Sequence, residues 1–194
     1  MPPRLSPTDT KALGRIKAME ARVLYSEQLT EAMTWLGEKP DTIFLGQQVC
    51  YSGNALFNTF SGVPMDKRRE LPIMEDTQLG MSIGLSLAGK IPVCIFPRMN
   101  FLILAMNQLV NHLDKIVVYS HGQFEPKVII RVAVGSEKPL YPGAQHCGDY
   151  PLYLERTRIV RLRDSKDILP AYQEAYVRKG GTVLVEYADL YHLH

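Results

Sequence analysis

The sequence has 194 residues, 46% of them hydrophobic, which is enough for one sizeable core and too little to need a second. Lys and Arg number 22 against 20 Asp and Glu, and a net charge of +2 supplies no field strong enough to draw the chain to nucleic acid or to a membrane surface. We therefore expect partners that are proteins or small molecules.

Residues 1–20 are interpreted as a loose N-terminal arm, and residues 21–194 as a single domain. The arm mixes basic residues with three prolines and lacks the continuous apolar core of a signal peptide. No apolar stretch approaches the roughly 20 residues that span a bilayer. The cysteines Cys50, Cys94 and Cys147 are odd in number and widely spaced, so they indicate neither a disulfide framework nor a zinc site. These features predict a soluble protein of the reducing cytoplasm.

Helical and strand-like patterns alternate along the domain. Apolar residues at helical spacing from Leu29 to Leu36 predict a first helix, which Gly37 ends. Further helices are predicted at 77–88, 99–112 and 167–178, and strands at 42–45, 91–96, 116–119, 128–134, 159–162 and 182–186. The basic cluster 67–69 is interpreted as solvated surface and segment 71–74 as a buried edge of structure. This alternation predicts an α/β fold whose mainly parallel sheet carries helices on both faces.

The helix predicted over 77–88 has an unusual face of small residues. Gly80, Gly84 and Ala88 follow one another at four-residue spacing. Each glycine costs a helix about 1 kcal/mol relative to alanine, so such a face indicates that another backbone approaches closely. That backbone belongs either to the domain's own sheet or to a second subunit, and the spacing alone leaves both open.

Two ionisable residues stand where parallel sheets usually bind ligands. Glu75 lies between an apolar run and a helix start, where the helix dipole favours a carboxylate with or without a catalytic role. His146 lies in a loop after a predicted strand and can exchange a proton near neutral pH, although a surface histidine is an equally good interpretation. A nucleophilic pair of His146 with Cys147 is disfavoured, because adjacent loop side chains often point apart.

Several motifs, taken in order, resemble the pyrimidine-binding, transketolase-like domain of the beta subunits of thiamine-diphosphate-dependent 2-oxo acid dehydrogenases. They are LPIME at 71–75, GMSIGLSLAG at 80–89, MNF at 99–101, AMNQLVNH at 105–112, GQF at 122–124 and GAQH at 143–146. The resemblance covers roughly residues 22–192. Ordered matches of this length are far more specific than any single short motif.

The resemblance implies roles for four residues. In the family, the glutamate that matches Glu75 hydrogen-bonds the aminopyrimidine ring of thiamine diphosphate, which favours the imino tautomer that takes the proton from the thiazolium carbon. Phe101 matches the aromatic residue that stacks on this ring, and Ile73 matches a residue that lines the same pocket. His146 matches a histidine that faces the substrate end of the cofactor and handles protons. Plain core packing is the alternative for Phe101.

The family's diphosphate-binding motif is missing from this sequence. Gly148-Asp149-Tyr150 is the nearest approach to Gly-Asp-Gly and lacks the second glycine. The resemblance therefore implies that an alpha-like partner holds the diphosphate and its Mg²⁺, that this chain holds no metal, and that two copies of each chain form the minimum assembly. The chain ends at His194, where the family's pyrimidine domain finishes. The usual C-terminal domain is thus expected to be absent, which leaves delivery to a lipoyl domain open.

Near the expected site the sequence also departs from the beta-subunit pattern. Gln47 and Gln48 stand where relatives commonly carry an acidic pair, and Arg98 stands where they usually place an apolar or aromatic residue. An arginine there either pairs with a carboxylate or phosphate or turns to solvent. Arg98 and Gln145 are our candidates for the substrate pocket.

The function implied is that of a subunit, inactive alone, which acts on a small 2-oxo acid by decarboxylation and transfer of an acyl or aldehyde fragment. One alternative is a split transketolase-like carbon transferase or a carboligase. Another is a non-catalytic assembly subunit, against which the joint presence of Glu75, Phe101 and His146 argues.

Overall fold

Strands and helices alternate along residues 24–138 and 141–191, which are the residues described in this computed structural model. The strands are β1 (Thr42–Gly46), β2 (Arg68–Glu70), β3 (Ile91–Phe96), β4 (Ile129–Val134), β5 (Arg158–Arg161) and β6 (Thr182–Tyr187). The α-helices are α1 (Tyr25–Gly37), α2 (Ala55–Asn58), α3 (Glu75–Leu87), α4 (Met99–Leu102), α5 (Ile116–Tyr119) and α6 (Ile168–Val177). The predicted N-terminal arm lies outside the described residues.

The six strands form one sheet in the order β2-β1-β3-β4-β6-β5, and every neighbouring pair is parallel. In the centre of the sheet Phe44 of β1 is in register with Val93 of β3. Because all strands run the same way, their carboxyl ends meet at a single edge of the sheet. The loops that follow β1, β3 and β4 therefore lie side by side there, which is where parallel sheets bind ligands.

Helices cover both faces of the sheet, because successive side chains of each strand point to opposite sides. In β3, Val93 and Ile95 belong to a core that includes the buried faces of α1 and α6. Their neighbours Cys94 and Phe96 belong to a second core, together with residues of α3 and of the segment that follows α4. Strands buried on both faces account for their nearly continuous apolar sequence. The predicted fold class is confirmed, with the sheet parallel throughout.

The strand predicted at 116–119 is wrong, since these residues form α5. Of the four side chains only Ile116 is buried, whereas Val118 and Tyr119 are about half exposed, at 49% and 54%. The segment follows closely on a long helical stretch and packs one residue into the core. A β-branched run carries only a weak strand preference, and tertiary context overrides it here.

The region around β2 also differs from its prediction. Segment 71–74 is not a buried edge, because Ile73 is 82% and Met74 42% exposed. The strand lies earlier, and it contains part of the basic cluster that was interpreted as solvated surface. Arg68 is buried, and its Nε donates to the carbonyl of Val63 at 3.1 Å. Arg68 is buried because buried backbone carbonyl groups need hydrogen-bond donors and its guanidinium supplies them.

The helix predicted over 99–112 forms in three pieces. After α4 the chain passes through a 3-10 turn at Ile103–Ala105 and a π-helical segment at Asn107–Leu113. No described helix is by itself long and apolar enough to cross a membrane. Two consecutive helical segments, Met99–Ala105 and Asn107–Tyr119, are long and apolar enough only when they are taken together, and a bend of 55° separates them. Its apolar composition is accounted for by the core, in which Leu102, Leu109 and Leu113 are buried.

A buried ion pair joins β4 to β6. Arg131 and Glu186 are both fully buried, with Arg131 Nε 2.7 Å from Glu186 Oε1 and Nη2 3.0 Å from Oε2. Tyr172 and Tyr191 donate their hydroxyl protons to the same carboxylate, and Thr59 Oγ1 accepts from Arg131 Nη1. Burial, followed by the charge of Glu186, raises the pKa of both tyrosines well above its usual value. They therefore stay protonated and keep donating.

Asp114 fixes the loop before β5, and we expect Asp114→Asn to destabilise the fold by about 1–3 kcal/mol at neutral pH. Its carboxylate, 1% exposed, accepts backbone N–H bonds from Glu155, Arg156 and Thr157 at 2.7–3.1 Å. Burial by itself would raise the pKa of Asp114, but the three N–H bonds together lower it below its usual value.

The stability that this lowered pKa supplies is present above the usual aspartate pKa of about 3.9 and is lost as the pH falls through the lower folded value. Urea unfolding at a series of pH values should show the gap between Asp114→Asn and the unchanged chain closing in acid. Exposed Asp66 is the matched control, and Asp66→Asn should shift stability by no more than about 0.5 kcal/mol. A gap that is the same at all pH values would contradict the role given to the carboxylate.

Candidate active site

Glu75 is the first residue of α3 and lies close to the carboxyl edge of the sheet. It is only 6% exposed. Within residues 24–138 and 141–191, no hydrogen bond or ion pair to another side chain or to a backbone N–H engages its carboxylate. Its oxygens are not among the fully enclosed polar atoms that lack a hydrogen-bond partner. Within the described residues, Glu75 is thus a largely buried acid whose carboxylate no other group engages.

A comparison with Asp76 shows that a position in the first helical turn does not by itself explain the burial of Glu75. Asp76 also stands in the first turn of α3, where the helix dipole favours a carboxylate. Asp76, however, is exposed, and its Oδ2 accepts a 3.1 Å hydrogen bond from Gln108 Nε2. A carboxylate that only stabilises a helix has no need of burial. The burial of Glu75 therefore favours the functional interpretation.

Two glutamine side chains connect the loop after β1 to the segment in front of Glu75. Gln78 is fully buried, and its Nε2 donates to the carbonyl of Ile95 at 2.8 Å. Its Oε1 accepts from Gln47 Nε2 at 2.8 Å, and the same Gln47 nitrogen donates to the Pro72 carbonyl at 3.1 Å. These bonds position the start of α3. Sequence reasoning missed Gln78, because an amide on a helix resembles an ordinary surface residue.

A second acid holds the loop after β1 in place. The carboxylate of Glu70, at the end of β2, accepts backbone N–H bonds from Gln48, Val49 and Cys50 at 2.7–2.9 Å. Gln48 has a positive φ of 64°, an uncommon backbone conformation for a residue other than glycine. Gln47 and Gln48, noted as departures from the family pattern, thus shape the loop beside the candidate site.

The structure brings Phe101 and His146 together. Their ring centroids are 5.6 Å apart at an interplanar angle of 87°, so the two rings meet edge to face. Phe101 belongs to α4, after β3, and His146 ends a 3-10 turn, Ala144–His146, after β4. Both side chains are half-buried. Cys147 Sγ instead contacts the carbonyl of Ser136 at 3.5 Å, in keeping with the disfavoured nucleophile pair.

The position of His146 depends on Gly135, and we expect Gly135→Ala to destabilise the fold by about 1–3 kcal/mol. The Gly135 N–H donates to the His146 carbonyl at 3.0 Å, and a Cβ at residue 135 would lie 2.1 Å from that oxygen. The loop must therefore move.

Urea unfolding measures the loss of stability, and the chemical shifts of the His146 ring report the movement. The control is Gly84→Ala, because a Cβ at Gly84 meets nothing within 4 Å. Equal stability of Gly135→Ala and Gly84→Ala would show that the close approach does not constrain the loop.

The segment that resembles a shortened diphosphate motif is held by hydrogen bonds. Asn100 Oδ1 accepts from the Gly148 N–H at 3.1 Å, and its Nδ2 donates to the Tyr150 hydroxyl at 3.0 Å. Asp149 forms an ion pair with Arg161 and accepts from the Tyr187 hydroxyl at 3.0 Å. Among the described residues, no group of three or more His, Cys, Asp or Glu side chains could hold a metal ion. Asp149 is thus engaged by Arg161 and Tyr187 of its own chain.

The two substrate-pocket candidates differ in their surroundings. Arg98 follows β3, is half-buried and lines a cavity of about 260 Å³ at the carboxyl edge of the sheet. Gln145 is exposed and is not among the residues that line this cavity. The structure thus places Arg98 in the wall of this cavity and Gln145 outside it.

No family model matches this chain, whereas curated proteins do. It is 32% identical over 139 residues to a chloroplastic pyruvate dehydrogenase E1 component subunit beta-3 of Oryza sativa subsp. japonica, a match that covers 70% of this chain and 35% of that protein. The E1 subunit beta of Chaetosphaeridium globosum is also 32% identical, over 65% of this chain and 39% of its own length. The mitochondrial subunit of Caenorhabditis elegans is 28% identical over 76% of this chain and 40% of its own length.

The chain is a homologue of pyruvate dehydrogenase E1 beta subunits. The resemblance seen in the motifs is confirmed, although this homologue spans only about two fifths or less of the length of these relatives. A solved split gene transketolase, described as an inactive beta4 tetramer, superimposes with a TM-score of 0.65. That likeness covers 86% of this chain and 52% of the other at 18% identity, and it shows a transketolase-like fold.

The small-residue face of α3 in this beta-subunit homologue points away from the sheet. The residues that α3 buries against the sheet include Leu79, Ser82 and Ile83. Gly84 and Ala88 are exposed, while Gly80 lies against Gln108 of the π-helical segment. Packing on the domain's own sheet, one of the two alternatives for this face, is therefore wrong.

The three residues predicted to contact the cofactor fit an aminopyrimidine ring. Such a ring has a flat face and an edge that hydrogen-bonds. Phe101 offers an aromatic side chain, Glu75 a carboxylate that no other described residue engages, and Ile73 an apolar side chain that is 82% exposed. Small-molecule sites combine apolar walls with a few placed polar groups in this way. The roles of these residues, and that of His146, stay predictions.

Proposed function

We propose that this chain is the beta-like subunit of a cytoplasmic, thiamine-diphosphate-dependent enzyme that acts on a 2-oxo acid and transfers an acyl or aldehyde fragment. It would bind the aminopyrimidine half of the cofactor, while an alpha-like partner holds the diphosphate and Mg²⁺. The observation that carries the proposal is the buried Glu75, whose carboxylate has no partner among the described residues, in a homologue of E1 beta subunits. The three free thiols support a reducing compartment.

Glu75, Phe101 and His146 would each have a different role toward the cofactor. Thiamine diphosphate supplies the carbanion chemistry when it is bound. Glu75 shares a proton with the ring nitrogen of the pyrimidine and so sets its tautomer. Phe101 packs on the ring face and orients it. His146, whose ring contacts that of Phe101, would exchange protons with the substrate.

Partners are proposed because this chain exposes apolar surface around the site. Ile73 and Met74 precede Glu75, and Met81 on α3 and Leu104 after α4 are also exposed, at 44% and 62%. Single exposed apolar residues are ordinary, but several of them on adjoining elements favour an interface. We propose that an alpha-like chain and a second copy of this one cover them, and that this chain is inactive alone.

Titration with thiamine diphosphate and Mg²⁺ tests the proposed function. Calorimetry of this chain together with an alpha-like chain that carries Gly-Asp-Gly should show saturable binding, and this chain alone should show little, because the diphosphate is held elsewhere. Turnover of 2-oxo acids by the assembled pair is then screened. An assembled pair that neither binds the cofactor nor turns over any such acid would refute the proposal.

The small-residue face gives a prediction for assembly. Gly84→Trp should leave the isolated fold at least as stable, since the position is open and glycine is a poor helix former, yet it should reduce assembly at least tenfold. Sedimentation velocity measures the assembly. Val177→Trp, at a 69% exposed position on α6, is the control and should assemble normally. Normal assembly of Gly84→Trp would remove this face from the interface.

Carbon transfer between sugar phosphates, as in a split transketolase, is the second candidate. The observation that favours it is the cavity beside Arg98 and Lys138, whose positive charge suits a phosphate. Turnover of phosphorylated sugars, and not of 2-oxo acids, by the reconstituted pair would select this candidate.

A further inference from the structure

The cavity beside Arg98 is lined by basic side chains and, among the described residues, by no acidic one. It measures about 260 Å³ and opens between the segments that follow β1, β3, β4 and β6. Its polar side chains come from Gln48, Asn54, Arg98, Ser136, Lys138 and Tyr191, and none of the described residues that line it is acidic. Two cations face one small space without a lining carboxylate. Such a site attracts an anion.

Arg98 has an unused donor in this cavity wall. Its Nη1 donates to the carbonyl of Pro97 at 2.5 Å. Its Nε is buried, and none of the described residues offers it an acceptor. A buried N–H without an acceptor is costly, and the planar guanidinium is suited to two parallel bonds with a carboxylate or phosphate. An oxygen-bearing anion would supply the acceptor that the described residues do not.

The nearby carboxylates are already engaged. Asp189 accepts from Ser136 Oγ at 2.6 Å and from the Glu137 N–H at 3.1 Å. Glu70 is occupied by three backbone N–H groups of the loop after β1. Neither forms a salt bridge with Arg98, and the described residues give Arg98 no other acidic partner. An anion that binds Arg98 therefore displaces no carboxylate partner among the described residues.

The arginine is held close to the candidate catalytic loop. A Cβ at Gly135 would lie 3.1 Å from Arg98 Nε and 2.1 Å from the His146 carbonyl, so one glycine makes room for both. Arg98 and the backbone of His146 thus flank the same residue. A ligand bound by Arg98 would have its anionic group near the loop that carries His146.

We propose that this cavity binds the anionic group, a carboxylate or a phosphate, of the substrate or acceptor, with Arg98 as its principal ligand and Lys138 as a second positive charge. The cavity is smaller than the roughly 300–1,000 Å³ of sites for drug-sized molecules, which suits a small acid. Its place in the reaction rests on the proposed function, but its affinity for anions does not.

Calorimetric titration of the full chain alone, at constant ionic strength, tests the proposal with two probes, inorganic phosphate and pyruvate. At least one should bind saturably with one site per chain, and Arg98→Gln should weaken that binding about tenfold to a hundredfold, as expected for loss of a charge-assisted pair. The affinity of Arg98→Lys for the same probe should lie between that of the unchanged chain and that of Arg98→Gln. The control Lys179→Gln, which removes an 80% exposed charge just before the start of β6, should bind like the unchanged chain.

The two probes separate the possible sources of the anion. Preference for pyruvate indicates a 2-oxo acid, and preference for phosphate indicates a phosphorylated substrate. Thermal unfolding verifies that each variant folds. If Arg98→Gln does not fold, Lys138→Gln takes its place in the test, and we expect it to weaken anion binding severalfold. The proposal is overturned if neither probe binds saturably, or if the Arg98 and Lys138 variants bind as well as the unchanged chain. Because no cofactor or partner is present, that result would leave the proposed cofactor role untouched.

Discussion

Glu75→Gln is expected to slow hydrogen exchange at the thiazolium carbon of bound thiamine diphosphate by about 10²- to 10⁴-fold, the usual contribution of general acid-base catalysis. Glutamine preserves the shape of the side chain and can still donate a hydrogen bond. It cannot share a proton with the pyrimidine ring nitrogen. The measurement is deuterium exchange followed by NMR, on the complex of this chain with the chain that holds the diphosphate.

Asp76→Asn is the matched control for Glu75→Gln. It removes a carboxylate from the same turn of α3, but one that is exposed and bonded to Gln108. Its exchange rate should stay within about twofold of the unchanged complex, a difference of less than about 0.5 kcal/mol. If the two variants exchange equally fast while both bind the cofactor, Glu75 has no special role.

Glu186→Ala is expected to lower the free energy of unfolding by about 3–5 kcal/mol, because it leaves the Arg131 charge buried without its partner. Both side chains are fully buried, and two tyrosine hydroxyls lose their acceptor as well. Small domains are stable by only about 5–15 kcal/mol, so the variant should be close to unfolding at room temperature. Urea unfolding followed by circular dichroism measures the loss.

Two comparisons separate this effect from ordinary truncation. Glu174→Ala breaks a surface ion pair with Arg158, whose side chains are 51% and 44% exposed, and should cost about 0–1 kcal/mol. The double change Arg131→Met with Glu186→Leu should regain much of the lost stability, because a buried pair can be replaced by apolar groups. A loss below 1 kcal/mol for Glu186→Ala would contradict the buried pair.

The core strands were predictable because parallel strands covered on both faces consist of nearly continuous apolar residues. β1, β3, β4 and β6 were placed to within one residue for this reason. β5 was placed as closely, although it is an edge strand that is not buried on both faces. β2 was missed, since its three residues Arg68, Arg69 and Glu70 are all charged. The burial of Arg68 comes from carbonyls elsewhere in the chain, which no local pattern records.

The residues of the candidate site could be predicted where a chemically suitable side chain lies within a motif of the family. Glu75, Phe101 and His146 were singled out by motif, and the structure adds that Glu75 is buried and that the rings of Phe101 and His146 touch. Gln78 and Asn100 were assigned no role, because the hydrogen bonds of an amide depend on distant backbone groups. The space beside Arg98 depends on four separate segments together, so only the fold could show it.

A structure of the assembled complex with thiamine diphosphate bound tests most directly whether Glu75 serves the cofactor. We expect a carboxylate oxygen of Glu75 at hydrogen-bonding distance, about 2.7–3.2 Å, from the pyrimidine ring nitrogen, with Phe101 against the ring face. A Glu75 side chain that faces bulk water, with the pyrimidine bound elsewhere, would contradict the proposed function.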